Sequence, residues 1–214
     1  MEPRRASTRK WGGRVPIGER GPGQSYRPDD LPPSVYGARQ PGITTPVLDH
    51  LAFAALDVTA DDREVLRDLV GELTLAAERL MRAAHRPPGT GVPAGALTLT
   101  IGLGPGIFTE RFGLGARPLA LAPLPAFPGD ALDPARCGGD LCVQGCAADE
   151  RTAAAALAEL LAVAEPAARL RWSQRAAMHR HPADHPQGRP RNLLGFKDAT
   201  SNPRRGRDLD RHVW

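Results

Sequence analysis

Three cysteines in a chain of 214 residues are too few, and odd in number, for a disulfide-stapled scaffold. Cys137, Cys142 and Cys146 stand in a C-x4-C-x3-C pattern. That spacing lacks the paired C-x2-C knuckles that close a zinc site. Cys142 lies in an apolar stretch, where a small buried filler is expected. Long hydrophobic runs are missing as well: nothing approaches the ~20 apolar residues of a membrane-spanning helix. Net positive charge is missing beyond the first 20 residues, where 22 Lys and Arg face 22 Asp and Glu. Arg4, Arg5, Arg9, Lys10, Arg14 and Arg20, set against Glu2 and Glu19, carry the entire net charge of +4, so residues 21–214 balance to zero. The sequence pI near 9.4 therefore belongs to a tail and argues against a nucleic-acid-binding face. Arg4-Arg5 resembles the opening of a twin-arginine export signal. The following "ASTRKWGGRVPIGERGPG" has none of the ~7–15 apolar residues such a signal requires.

What is present suits one large or two small domains with a sizeable core. Hydrophobic residues make up 41%, and 23 glycines with 22 prolines imply many turns. Residues 1–45, rich in Gly, Pro and Arg and without a sustained period, read as a disordered basic lead-in. "HLAFAALDV" (50–58) reads as a buried strand. Thr59 is then placed to cap a helix, with Asp61 and Asp62 in its first turn. Leu66, Leu69, Val70, Leu73, Ala77, Leu80, Met81 and Ala84 follow at helical spacing, and "HRPPGTG" stops them. "ALTLTIG" (96–102) alternates as a half-buried strand. A long irregular stretch leads to "DLCVQGC" (140–146), again strand-like. An Ala-rich helix is expected from Asp149 to about Ala164. "ARLRWSQR" (168–175) alternates once more, with Leu170 and Trp172 opposite Arg169, Arg171 and Ser173. Strand, helix, strand, then strand, helix, strand is the split βαβ order of an α+β ferredoxin-like module, spanning 46–178, with an antiparallel sheet and both helices on one face. That fold does not specify a function.

Candidate sites divide unevenly. "GLGPG" (102–106) lacks the third glycine opening a helix that a dinucleotide loop needs, so a tight turn is expected. "HRHPADH" gathers His179, His181 and His185, but two prolines deny them an i, i+4 helical pair, so a solvated loop is expected. His50 starts a strand and His85 ends a helix, and neither requires a function. His212 precedes the final "VW" and reads as a strand edge. Residues 179–214 thus form a loop followed by the start of another strand in "HVW", and the chain reads as cut off. Within this region "NLLGFKDATSNP" (192–203) holds Asp198 in a polar turn, where an Asx-turn competes with an acid/base role.

That segment resembles the glycine–x–x–aspartate–glycine signature of dye-decolorising (DyP-type) haem peroxidases. "YGARQPGITTP" resembles the family's entry segment. "LTLTIGLGPGIF…RFGL", "LAPLPAFPGDALDPARCGGDLCVQGCAAD" and "LRWSQRA" resemble successive blocks of its exported, iron-import-associated branch, so the likeness runs collinearly over about 36–214. It implies two ferredoxin-like modules holding haem b between them, of which this chain carries the first. It implies Asp198 as the distal acid/base that moves a proton between the oxygens of hydrogen peroxide, with Ala199, Thr200 and Ser201 against the haem. An unperturbed Asp titrates near ~3.9, so it still accepts a proton in mildly acidic solution. Ala199 stands where the family has its second signature glycine, so retuning is expected before loss of activity. The proximal His ligand to iron and the distal Arg are implied to lie beyond residue 214, leaving no metal ligand here, and His212 does not take that role.

The partners implied are hydrogen peroxide and a small-molecule electron donor such as a dye or phenol, with a homo-oligomer open. Two other readings stand beside this one: a haem-free structural or interaction module, and haem or iron handling without peroxidase turnover. The resemblance points to a periplasmic or extracellular location, and the missing export signal to the cytoplasm.

Overall fold

The computed structural model describes residues 33–43, 45, 47–85, 97–122, 124–178, 192, 194–196 and 206–212. Four strands alternate with two long helices: β1 (His50–Val58), α1 (Arg63–Ala84), β2 (Leu97–Leu103), β3 (Leu141–Ala147), α2 (Glu150–Ala164) and β4 (Ala168–Ala177), followed by a short α3 (Gly206–His212). The strands form one sheet in the order β2-β3-β1-β4, antiparallel throughout. This is the α+β ferredoxin-like module that the element order implies. No described helix is long and apolar enough to cross a membrane.

One face of the sheet makes the core. Ala52, Ala54, Leu56 and Val58 of β1 share it with Leu97, Leu99 and Ile101 of β2 and with Leu141, Val143 and Ala147 of β3. Helix α1 covers this face with Leu66, Leu69, Leu73, Ala77 and Met81, whose spacing of three or four residues sets them on one stripe. Helix α2 adds Ala153, Leu157, Leu160 and Ala164. Leu73 and Leu99 are fully buried, each worth about 1.5–3 kcal/mol by area alone.

The start of α1 departs from expectation. Asp62 is the N-cap, its carboxylate accepting the Glu64 N–H at 2.5 Å. Thr59 instead extends the sheet connection, donating its N–H to the Ala167 carbonyl. Asp61 is drawn away by Arg111, 2.6 Å distant, which leaves Glu64 as the first-turn acid. Asp149 caps α2, its carboxylate accepting the Thr152 N–H and hydroxyl at 2.9 and 2.7 Å. His85 is the C-cap of α1, in keeping with its place at the helix end.

The alternation in β4 is broken. A register shift between Ala55 and Leu56 pairs Leu56 with Leu170 but Ala55 with Trp172, which skips Arg171. The bulge puts Leu170 on the helix side and Trp172 on the opposite one, where its ring stacks on Phe53 at 5.1 Å. Leu170 remains half-exposed because β4 is an edge strand.

Cys142 is also not core filler. It lies with Cys146 on the face away from the helices, half-buried, and all three cysteines are free. The terminal segment differs as well. Residues 206–212 are helical, with Asp208 in the first turn and Arg211 and His212 in the last, a charge order the helix dipole favours. His212 is therefore a helix end and not a strand edge, while Val213 and Trp214 lie outside the described residues.

Candidate functional site

The signature segment opens on a tight polar turn. Asn192 N–H donates to the Phe196 carbonyl at 2.9 Å, and Gly195 N–H donates to the Asn192 carbonyl at 2.9 Å. The Asn192 side chain closes the loop from inside, its Oδ1 accepting the N–H groups of Leu194 (3.0 Å) and Phe196 (3.1 Å). Gly195 has φ +86°, which a residue with a Cβ adopts only at a cost, so the Asn and the Gly specify this turn together. Leu194 and Phe196 are exposed. Asp198, Ala199, Thr200 and Ser201 lie outside the described residues, as do His179, His181 and His185. An Asx-turn is thus present five residues before Lys197, built on Asn192 and not on Asp198. An Asn three positions before a Gly was the available signal.

Elsewhere in the module, the end of β1 is tied to the start of β3. Asp140 accepts the Val58 N–H at 3.0 Å, and its own N–H reaches the Leu56 carbonyl at 2.8 Å. Arg111 bridges from the loop after β2 to the carbonyls of Val58 (2.6 Å) and Ala60 (2.5 Å) and lies 4.7 Å over the Phe112 ring. The "GLGPG" stretch is a tight turn, as expected: Gly104 N–H donates to the Asp140 carbonyl at 2.8 Å, and Pro105–Ile107 make a single 3-10 turn. On the outer face of β4, Arg171 donates to the carbonyls of Cys137 (2.6 Å) and Pro134 (3.2 Å) and pairs with Asp57 at 3.1 Å. These contacts fasten the long loop to the sheet.

None of this gathers metal ligands. Among the described residues no three His, Cys, Asp or Glu side chains come together as a cation site. Cys142 and Cys146 stand four residues apart on one strand, about 13 Å by strand rise, so their sulfurs do not converge. Burial pushes both thiols up from their ordinary range; Gly102 partly offsets this for Cys142, and Thr98 and Gln144 for Cys146. An open cleft of about 630 Å³ between α2 and β4, lined by Leu56, Leu161, Leu170, Glu165 and Arg169 among others, contains none of the sequence-predicted site residues.

The four-stranded antiparallel module is shared with proteins of a known family. Residues 40–176 match the N-terminal region of the Dyp-type peroxidases, and the chain belongs to that family. It is 34% identical over 198 residues to deferrochelatase of Escherichia coli K12, covering 84% of this chain and 47% of that protein. It is 34% identical over 184 residues to deferrochelatase of Yersinia pestis, covering 79% and 42%. Among solved structures it superposes on ferric DtpA from Streptomyces lividans with a TM-score of 0.72 and 35% identity, covering 85% of this chain and 51% of that one. The DyP-type peroxidase of Streptomyces coelicolor gives the same TM-score, identity and coverage. The chain spans about half the length of the curated relatives it matches.

Proposed function

We propose that this chain supplies the N-terminal module of a haem-dependent peroxidase that uses hydrogen peroxide to oxidise dyes, phenols or similar small donors. The observation that carries the reading is the family match over 40–176, continued by a signature segment whose Asn192–Phe196 turn leads directly into Lys197 and Asp198. Asp198 takes a proton from one oxygen of hydrogen peroxide and returns it to the other, which departs as water. Ala199, Thr200 and Ser201 form the adjoining wall. Bound haem b supplies the redox chemistry in the complete protein.

The described residues do not by themselves fit a haem. His50 sits at a strand start, His85 closes α1, and His212 ends an exposed helix. On this reading the iron ligand and the distal Arg belong to a second module.

The test is peroxide-dependent dye oxidation by a protein of the relatives' full length, with and without Asp198→Asn. A positioned acid/base contributes about 10²–10⁴-fold, and a loss of that order is expected. Full activity in the variant removes the role from Asp198. The name deferrochelatase borne by the curated relatives favours a second reading, haem or iron handling without peroxidase turnover. Iron released from haem and dye oxidised, followed in one preparation, separate the two. A protein without a Soret band after haem titration supports a haem-free structural module instead.

A further inference from the structure

Strand β2 is an edge of the sheet, and three of its outward backbone groups, at Leu99 and Ile101, are taken up by side chains from elsewhere. Leu99 N–H points into the core end of α1 and donates to Met81 Sδ at 3.3 Å. Two residues on, the side-chain amide of Gln40 takes both free groups of Ile101. Its Nε2 donates to the Ile101 carbonyl at 2.8 Å, and its Oε1 accepts the Ile101 N–H at 2.9 Å. A single side chain thus imitates one rung of a neighbouring strand.

The residues after Gln40 turn away at once. Ile43 N–H reaches back to the Gln40 carbonyl at 3.4 Å across Pro41 and Gly42, the latter at φ +88°. Pro then Gly at the centre of the four is the pattern of a type II turn. Pro41 has no N–H to offer a ladder, its carbonyl accepts the Thr100 hydroxyl, and it is buried. Gly42 lies so close to the sheet that a Cβ there would collide with Thr100 Oγ1. Upstream, Val35 N–H donates at 3.0 Å to Glu78, a buried carboxylate of α1 that Arg82 also holds at 3.0 Å. The segment is therefore latched at Val35 and again at Gln40–Gly42. The described end of the lead-in belongs to the module.

What this segment covers is a hazard. "LTLTIGL" is uncharged, free of proline and rich in strand-forming residues, the composition that pairs with itself when an edge is open. An antiparallel pair of identical strands is self-complementary about a twofold axis, so the fitting occupant of an open β2 edge is β2 of another molecule. We propose that residues 35–42 are a strap that closes the β2 edge against pairing with a second copy of this chain. This does not rest on the peroxidase reading.

The experiment uses the 214-residue chain with Gln40→Ala, Gln40→Glu and the double variant Gln40→Ala/Leu103→Lys. Amide hydrogen exchange is followed at Ile101, and association by sedimentation velocity over a concentration series. Gln40→Ala is expected to speed Ile101 exchange by about tenfold, the effect of one lost hydrogen bond, and to populate dimers that grow with concentration. Gln40→Glu keeps the acceptor for the Ile101 N–H but loses the donor, and should fall between Gln40→Ala and the parent. Leu103 is a half-exposed residue at the end of β2. A lysine there should return the double variant to the parent's association state while Ile101 exchange stays fast. Unchanged Ile101 protection in Gln40→Ala overturns the strap. So does fast exchange without added association, or association that Leu103→Lys leaves intact. Far-UV circular dichroism of each variant distinguishes edge opening from global unfolding, in which every core amide would accelerate together.

Discussion

Arg111 Nη1 lies 3.7 Å from Asp140 Oδ2, at the point where the end of β1, the start of β3 and the loop after β2 converge. Neither side chain is fully buried, and the ion pair alone would be worth little. Its weight comes from what each partner holds besides the other. Asp140 accepts the Val58 N–H, and Arg111 donates to the Val58 and Ala60 carbonyls, so the pair fixes the last residues of β1 from both sides.

Asp140→Ala should therefore cost about 1–3 kcal/mol in urea denaturation, because it strands the Val58 N–H as well as removing a charge. Asp140→Asn keeps an acceptor for that N–H and should lose distinctly less. Equal losses would assign the effect to charge and not to the hydrogen bond.

The Asn192 turn opens the signature segment. Gly195→Ala forces a Cβ into a φ of +86°, at about 1–2 kcal/mol locally, with no neighbouring atom in the way. On the proposed peroxidase reading, Gly195→Ala and Asn192→Ala in a protein of the relatives' full length are expected to lower dye turnover while leaving the unfolding midpoint of the module nearly unchanged. A fall in midpoint matching the fall in turnover would make the turn merely structural.

Asp149 should appear in the acid stability profile. The Thr152 hydroxyl and N–H hold its carboxylate below the ordinary Asp value. A depressed folded-state value means the cap's contribution is complete above the ordinary carboxylate value. It is lost as pH falls through the folded one. Thermal midpoints of the parent should drop more steeply in that acid window than those of Asp149→Asn, which has no proton to gain. Parallel curves throughout would remove the cap from the acid response.

Cys142 and Cys146 should alkylate slowly in the folded protein near neutral pH, since burial keeps both thiols protonated. Peptide mass spectrometry after a short iodoacetamide pulse, repeated in denaturant, gives the comparison. Rates for the two that do not rise on unfolding would contradict their half-buried placement.

How much of this was written in the chain depends on whether the signal was local. Strand and helix periods at 50–58, 63–84, 141–147 and 150–164 are set by side chains three, four or two positions apart, so the module's element order followed from the residues alone. The family signature in 192–203 was legible for the same reason, being contiguous. Features that depend on distant partners were not. Asp62 displaced Thr59 as the cap because Arg111, some 50 residues away, claims Asp61 and the carbonyls beside it. The bulge that parts Leu170 from Trp172 exists only in the pairing of β4 with β1. Gln40 carried no sign of its edge-capping contact because its partner, the free edge at Ile101, comes into being only when β2 takes its place beside β3. Sequence settled which segments carry regular backbone. Tertiary structure decided which unpaired groups those segments leave, and which side chains from elsewhere in the chain arrive to cover them.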